Sequence, residues 1–307
     1  MSARSAVGPF DADLAIRDLP ADGGRRYQPV GAPRGEGPSM LGFLGFALEG
    51  LAPLLNGGVN QVGDPYTPDA WASGARAYEV AVLEYFAQVA GALPGEVCGY
   101  VASSSGEALL HGLAAAQRRL PEACVYTSDQ AHDSVRRACE LVRMELVTVG
   151  SLPGGRTDPR SCGCRSFSGA AGAGQSWWPP SARRCAVPST TSGCCGQRAA
   201  GGEVYVDVDA AGGGLVAAHT RPEPNWSFAH DADSLNVSGH PVLGVPVPAA
   251  GVSLVRRALL PEAAGGECIA ATDRTPACSC SDLACLLLWA RLRSLGRAAV
   301  AALVGRC

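Results

Sequence analysis

The 307-residue chain contains no lysine: every residue in its Lys plus Arg total of 25 is an arginine. A Gly-x-x-x-x-Gly-Lys phosphate loop therefore cannot be written. Nor is there any side-chain amine able to form a Schiff base with a carbonyl compound. A Gly-x-Ser-x-Gly elbow is also missing, which removes the serine-hydrolase arrangement built on it. Excess charge of one sign is lacking too. With 28 carboxylates and 5 histidines the formal net charge is −3 and the pI near 6.0, so no basic stripe argues for nucleic acid. The longest apolar stretch, Leu41 to Leu55, is broken by Gly42, Gly45, Glu49 and Gly50 and is too short to cross a bilayer. Asp11 and Asp13 precede any apolar run that could serve as a signal core, so secretion is not expected. The cytoplasm is the expected location, with an organellar leader from the Arg/Ser/Ala start as the alternative. The 13 cysteines lack metal-site spacing: Cys162-Gly163-Cys164, Cys194-Cys195 and Cys278-Ser279-Cys280 have no two-residue gap and no histidine pair beside them. No metal is expected, and reduced thiols are.

What is present is enough apolar residue, 47%, for one large domain with a buried core. Residues 1–55 read as an N-terminal arm and entry segment, the first 38 being rich in Gly, Pro, Arg and Asp without periodicity. Residues 56–307 read as the large domain. Tyr78, Val82, Tyr85, Phe86 and Val89 recur at helical spacing, and so do Leu109, Leu110, Leu113 and Ala116. Cys124 to Tyr126, Ser134 to Met144 and Leu146 to Val149 read as strand, helix and strand, the length of a βαβ unit. Val204 to Val208 and Gly251 to Val255 read as further strands. The expected class is α/β with a mostly parallel sheet.

The domain is interrupted by residues 156–202. This stretch holds six arginines, one acidic residue (Asp158), five cysteines and the run Trp177-Trp178-Pro179-Pro180, and it follows neither helical nor strand periodicity. An unstructured insert of that length is unusual in a compact domain. Its composition suits a GC-rich coding sequence read out of frame, with a disordered insertion as the alternative.

Four islands carry candidate chemistry. In the first, Gly99 to Leu113, Ser104-Ser105-Gly106-Glu107 has the form of a helix cap with an acid in the first turn. In the second, Tyr126 to Ala138, His132 stands just before a helix, where a histidine is ordinarily a cap or surface residue. In the third, Val204 to Gly213, strand alternation places Asp207 and Asp209 on one face and Val204, Val206 and Val208 on the other. Asp209 falls at the strand's C-terminal end, where α/β sheets hold ligands. The fourth is Asn236-Val237-Ser238-Gly239-His240-Pro241-Val242-Leu243-Gly244. Upstream stands Asn60-Gln61-Val62-Gly63-Asp64-Pro65-Tyr66.

Together these islands resemble the pyridoxal-phosphate (PLP) group II amino-acid decarboxylases, most closely the histidine and plant-type serine decarboxylases. The similarity runs over about residues 56–155 and 203–297. It implies a fold-type-I large domain and a homodimer. Ser104, Ser105 and Gly106 match the family's Gly-Gly-Thr, which receives the cofactor phosphate at a helix N-terminus. His132 matches the histidine over the cofactor ring. Asp209 matches the carboxylate that bonds the protonated pyridine nitrogen, with Ala211 beside it. Ser238 and His240 match phosphate-side and cofactor-side groups, and Asn60, Asp64 and His132 match residues near the substrate. Pro241 stands where the family has its Schiff-base lysine, and it also lacks a backbone N–H. PLP is expected to be non-covalent if bound. The chain ends at Cys307, and the family's small C-terminal domain is expected to be missing. The resemblance thus implies decarboxylation of a small polar L-amino acid, histidine or serine, impaired as written. Two alternatives stay open: a non-catalytic homologue that binds PLP or an intact paralogue, and the product of a defective gene model.

Overall fold

The computed structural model describes residues 60–67, 75–152, 204–220, 226–240, 242–245, 251–260, 264–266 and 271–304. The N-terminal arm at 1–55, the irregular stretch at 156–202 and Pro241 lie outside the described residues.

The first helix, α1 (Arg76–Val89), buries the face announced by its spacing, including Val82, Leu83, Tyr85 and Phe86. Beyond Ala90, Gly91 turns the chain at a φ of 68° that a side chain would resist. Strand β2 (Val97–Ala102) leads into helix α2 (Ser105–Arg119). Its N-terminus is capped by side chains. Ser104 Oγ accepts from the Glu107 N–H at 3.0 Å, while Glu107 reaches back to the Ser103 N–H at 3.0 Å and the Tyr100 hydroxyl at 2.9 Å. The expected βαβ unit forms as β3 (Val125–Ser128), α3 (Asp133–Val142) and β4 (Leu146–Val149), with β3 and β4 parallel. Arg143, left-handed at φ 58°, ends α3. After it come β5 (Asp207–Asp209), α4 (Gly214–His219), β6 (Ser234–Ser238) and β7 (Gly251–Arg256). The long α5 (Asp282–Val304), bent at Gly296, closes the order.

The central sheet runs β2-β7-β6-β5 and is mixed. Strand β5 is parallel to β6, but β7 is antiparallel to both β6 and β2, so less of the sheet is parallel than the βαβ pattern suggested. Strand β5 also begins three residues later than the valine alternation suggests. The Val206 N–H goes to the Asp233 carboxylate at 2.8 Å rather than to a strand partner.

Register divides the sheet into two unlike faces. Val101, Val252 and Val237 stand in one row, and Leu254, Leu235 and Val208 in the next. All six join the apolar core with Val82, Leu83 and Phe86 of α1 and Leu286, Leu288 and Leu292 of α5. The intervening positions form the opposite face, whose central row is Tyr100, Ser253, Asn236 and Asp209. Helix α2 covers that polar face. A Cβ on Gly112 would lie 2.3 Å from Asp207 Oδ1, so only glycine permits this approach.

Candidate cofactor site

The site forms where the C-terminal ends of β5 and β6 meet the N-terminal ends of α2 and α3. At the end of β5, Asp209 is buried, and its Oδ1 accepts from the Ala211 N–H at 3.2 Å and from Asn236 Nδ2 at 3.1 Å. Burial raises its pKa, while those two donors pull it back down. His132 caps α3: its Nδ1 accepts from the Ser134 N–H at 3.1 Å, which leaves the proton on Nε2 and turns that edge away from the helix.

A second chain of contacts leads from Asp209 to the start of α2. The Ser238 N–H donates to Ala211 O at 3.1 Å. Across the ladder from Ser238 stands Gly251, where a Cβ would meet the Ser104 carbonyl and the Ser105 nitrogen at 2.6 Å. From the α2 side, a Cβ on Gly106 would reach Ser104 Oγ at 3.6 Å and Ser134 Cβ at 4.0 Å. The groups thus close a ring: Ser104 to Gly106, the α3 cap at His132 and Ser134, Asp209, Ala211, Ser238, Gly251 and back to Ser104.

Two features of the ring suit an anion. Ser104 Oγ and Ser104 O take the N–H groups of Glu107 and Ala108, so the N–H groups of Ser105 and Gly106 remain for a ligand at the helix N-terminus. Ser238 Oγ, on a residue only 1% exposed, has no hydrogen-bond partner. A buried hydroxyl without a partner is costly and uncommon. Asp209 supplies the complementary demand, a buried carboxylate suited to a cationic ring nitrogen. These donors and the acceptor fit the phosphate and pyridinium of PLP. The amine that would hold it covalently is absent from the sequence.

Of the sequence-derived candidates, Ser104, Ser105, Gly106, His132, Asp209, Ala211 and Ser238 therefore come together. The His240 side chain is half-buried, with its pKa lowered by burial, and no described contact joins it to the ring. Its carbonyl accepts from the Gly244 N–H at 3.1 Å, closing the turn that follows β6. The substrate group does not assemble among the described contacts. Asp64 is buried and bound to Arg274 at 2.5 Å and to the Tyr66 N–H at 2.9 Å, a commitment that fixes the segment to residues 271–275. Asn60 pairs in a short ladder, β1 (Asn60–Val62) with β8 (Ser279–Ser281).

Two residues were missed by sequence reasoning, Asn236 and the deep burial of Asp207. Alternation in Ser234-Leu235-Asn236-Val237-Ser238 put all three polar residues on one face. Only knowing that a helix covers that face makes them site residues.

No family model matches the chain. Among curated proteins, it is 28% identical over 262 residues to histidine decarboxylase of Solanum lycopersicum, covering 81% of this chain and 61% of that one. Histidine decarboxylase of Mesorhizobium japonicum gives 29% over 255 residues, with 77% and 65% covered. Serine decarboxylase 1 of Oryza sativa gives 27% over 264 residues, with 82% and 53% covered. The chain thus spans less than two thirds of the length of these relatives. Among solved structures, L-methionine decarboxylase from Streptomyces sp. 590 superposes with a TM-score of 0.63 at 19% identity, covering 84% of this chain and 71% of that one. Oryza sativa TDC with PLP and tryptamine gives 0.56 at 20%, with 83% and 57% covered. The chain is thus similar in sequence to histidine and serine decarboxylases, and it shares its fold with amino-acid decarboxylases of known structure.

Proposed function

We propose that the ring is a non-covalent PLP site and that the chain is an amino-acid decarboxylase of low turnover, with a small polar L-amino acid such as histidine or serine as substrate. The observation that carries this reading is the partnerless hydroxyl of Ser238, whose ladder partner Gly251 packs against the Ser104–Ser105 peptide that opens α2. In this reading Ser105 N–H, Gly106 N–H and the hydroxyls of Ser104 and Ser238 donate to the phosphate. Asp209 holds the proton of the ring nitrogen by charge and hydrogen bond. His132, with Nδ1 occupied and Nε2–H turned outward, orients the ring and the substrate. Bound PLP would supply an electron sink for the carbanion left when CO₂ departs. The chain's contribution is to keep the ring nitrogen protonated and the phosphate fixed.

Pro241 at the position of the family lysine argues that cofactor exchange and substrate entry lack amine assistance and are slow. The same residue favours a second reading, a homologue that binds PLP or a paralogue without turnover. A homodimer in the cytoplasm completes the proposal, on the family resemblance. Titration with PLP should show reversible binding that borohydride does not fix to the chain, with weak release of labelled CO₂ from histidine or serine. Binding without CO₂ release would favour the second reading. No binding would overturn both. Pro241→Lys should convert the same site to borohydride-fixable binding with a visible absorbance band.

A further inference from the structure

Strand β5 carries two buried carboxylates on one face, Asp209 at 5% exposure and Asp207 at 1%. Two strand residues apart, they stand roughly 7 Å from each other along the chain. In a dry interior, like charges at that distance oppose one another strongly. The site needs one of them ionised.

Their surroundings differ in one respect above others. Each faces a partner on β6 at the same register, Asp207 opposite Ser234 and Asp209 opposite Asn236. Asp207 Oδ1 receives only the Ser234 hydroxyl, and its Oδ2 has no partner. Gly112 packs directly above Oδ1, where a Cβ would lie 2.3 Å away. Asp209 Oδ1 instead receives an amide N–H₂ from Asn236 in addition to the Ala211 N–H. An amide donor stabilises a carboxylate without carrying charge or titrating. Asn236 is 1% exposed with its own Oδ1 unpartnered, and turning its amide over would set Oδ1 against the Asp209 oxygen. The other titratable groups facing the pair are His132 and Cys139 from the α3 side and Asp233 ahead of β6. Of these, His132 lies on the Asp209 side, and Cys139 and Asp233 lie on the Asp207 side. The pKa of Asp207 is pushed up to about 8, first by burial and also by the charge of Asp209.

We propose that Asn236 is a positioning residue that decides which β5 carboxylate is charged, holding Asp209 ionised for a cationic ring nitrogen and leaving Asp207 neutral. Its relevance to catalysis rests on the PLP reading. The assignment of charge does not.

The test uses the full chain with carbon-labelled aspartate, comparing wild type, Asn236→Leu, which keeps the volume without the donor, and Asn236→Ser, which keeps a donor. Carboxyl chemical shifts followed from pH 4 to pH 9 should show Asp209 ionising below Asp207 in wild type. In Asn236→Leu the Asp209 midpoint should rise by about one unit or more, the effect expected from losing one hydrogen bond to a charged group. Asn236→Ser should restore part of the difference. As a second measurement, PLP binding is compared with binding of its carbocyclic analogue, which has no ring nitrogen. Wild type should prefer PLP, and Asn236→Leu should lose about tenfold of that preference. An unchanged Asp209 midpoint in Asn236→Leu, or Asp207 ionising first in wild type, overturns the proposal. If the midpoints move as expected but no form binds PLP, the charge assignment stands and the PLP reading falls. Should Asn236→Leu not fold, a wild-type-like midpoint in Asn236→Ala would overturn the proposal in its place.

Discussion

At Ser238, stability and binding pull in different directions. Its hydroxyl is buried without a partner, so the folded protein bears the desolvation of a polar group and gains no hydrogen bond in return. Ser238→Ala removes that cost while leaving a cavity smaller than a methyl group. The expected result is a thermal midpoint equal to or slightly above wild type, together with about tenfold weaker binding of PLP or inorganic phosphate. Calorimetry on the same samples reads both quantities. A fall in stability with unchanged affinity would mean that Ser238 is a core residue and nothing more. Gly251 opposite it has a related logic, because any side chain there would strike the Ser104–Ser105 peptide and push the helix N-terminus off the site.

Among the elements, α2 bears most on the site, because its first turn holds the spare N–H groups. That turn is fixed by Glu107, which binds the Ser103 N–H, the Ser103 hydroxyl and the Tyr100 hydroxyl. Tyr100 is buried in the sheet, and its hydroxyl pKa is pushed up by burial and by the Glu107 charge, so it remains a donor. Glu107→Ala should therefore cost about 1–2 kcal/mol of unfolding free energy, read by urea denaturation. Anion affinity should fall with it as the turn frays. Helix α3 depends less on its visible ion pairs. Asp133, Arg136, Arg137 and Glu140 form exposed pairs between 2.5 and 2.9 Å, of a kind that contributes little in water.

Across the whole molecule, buried acids set the response to pH. Glu79 of α1 joins three elements, accepting from the Val101 N–H of β2 at 2.7 Å and from Gln61 of β1. Burial foremost, with the neighbouring charges of Asp282 and Asp64, raises its pKa from 4.5 to about 8. Asp207 moves from 3.8 to about 8. Both hold a proton in the folded state where the unfolded chain has released it, so unfolding releases protons across this window. Stability should therefore fall as pH rises from about 4 to about 8 and level off above. Melting curves at pH 5 and pH 8 test this, with the higher midpoint expected at pH 5. Glu79→Gln should flatten part of the slope. Its amide can still accept from the Val101 N–H, and the partnerless Gln61 Oε1 can turn to receive its N–H₂. A steeper slope in that variant would refute the assignment.

Much of the architecture was legible because it rests on local periodicity. The apolar spacing of α1 and α2, the βαβ unit through β3, α3 and β4, and the alternation around Asp207 and Asp209 were readable as sequence. So were most of the ring residues, because the islands that resemble decarboxylases are contiguous in the chain. The late start of β5 was not, since the Val206 N–H is taken by Asp233, 27 residues away. Asp64 read as a substrate residue, and its bond to Arg274, which spans 210 positions, was not readable from sequence. Asn236 gave no signal of its own, because its importance comes from standing opposite Asp209 under a helix that hides both. Sequence by itself determined which faces are apolar and that no lysine is present, since periodicity and composition are properties of neighbours along the chain. Only the tertiary structure decided which polar groups are dry, which carboxylate meets a donor and which hydroxyl is left without one. Those depend on segments distant in sequence meeting where water is excluded.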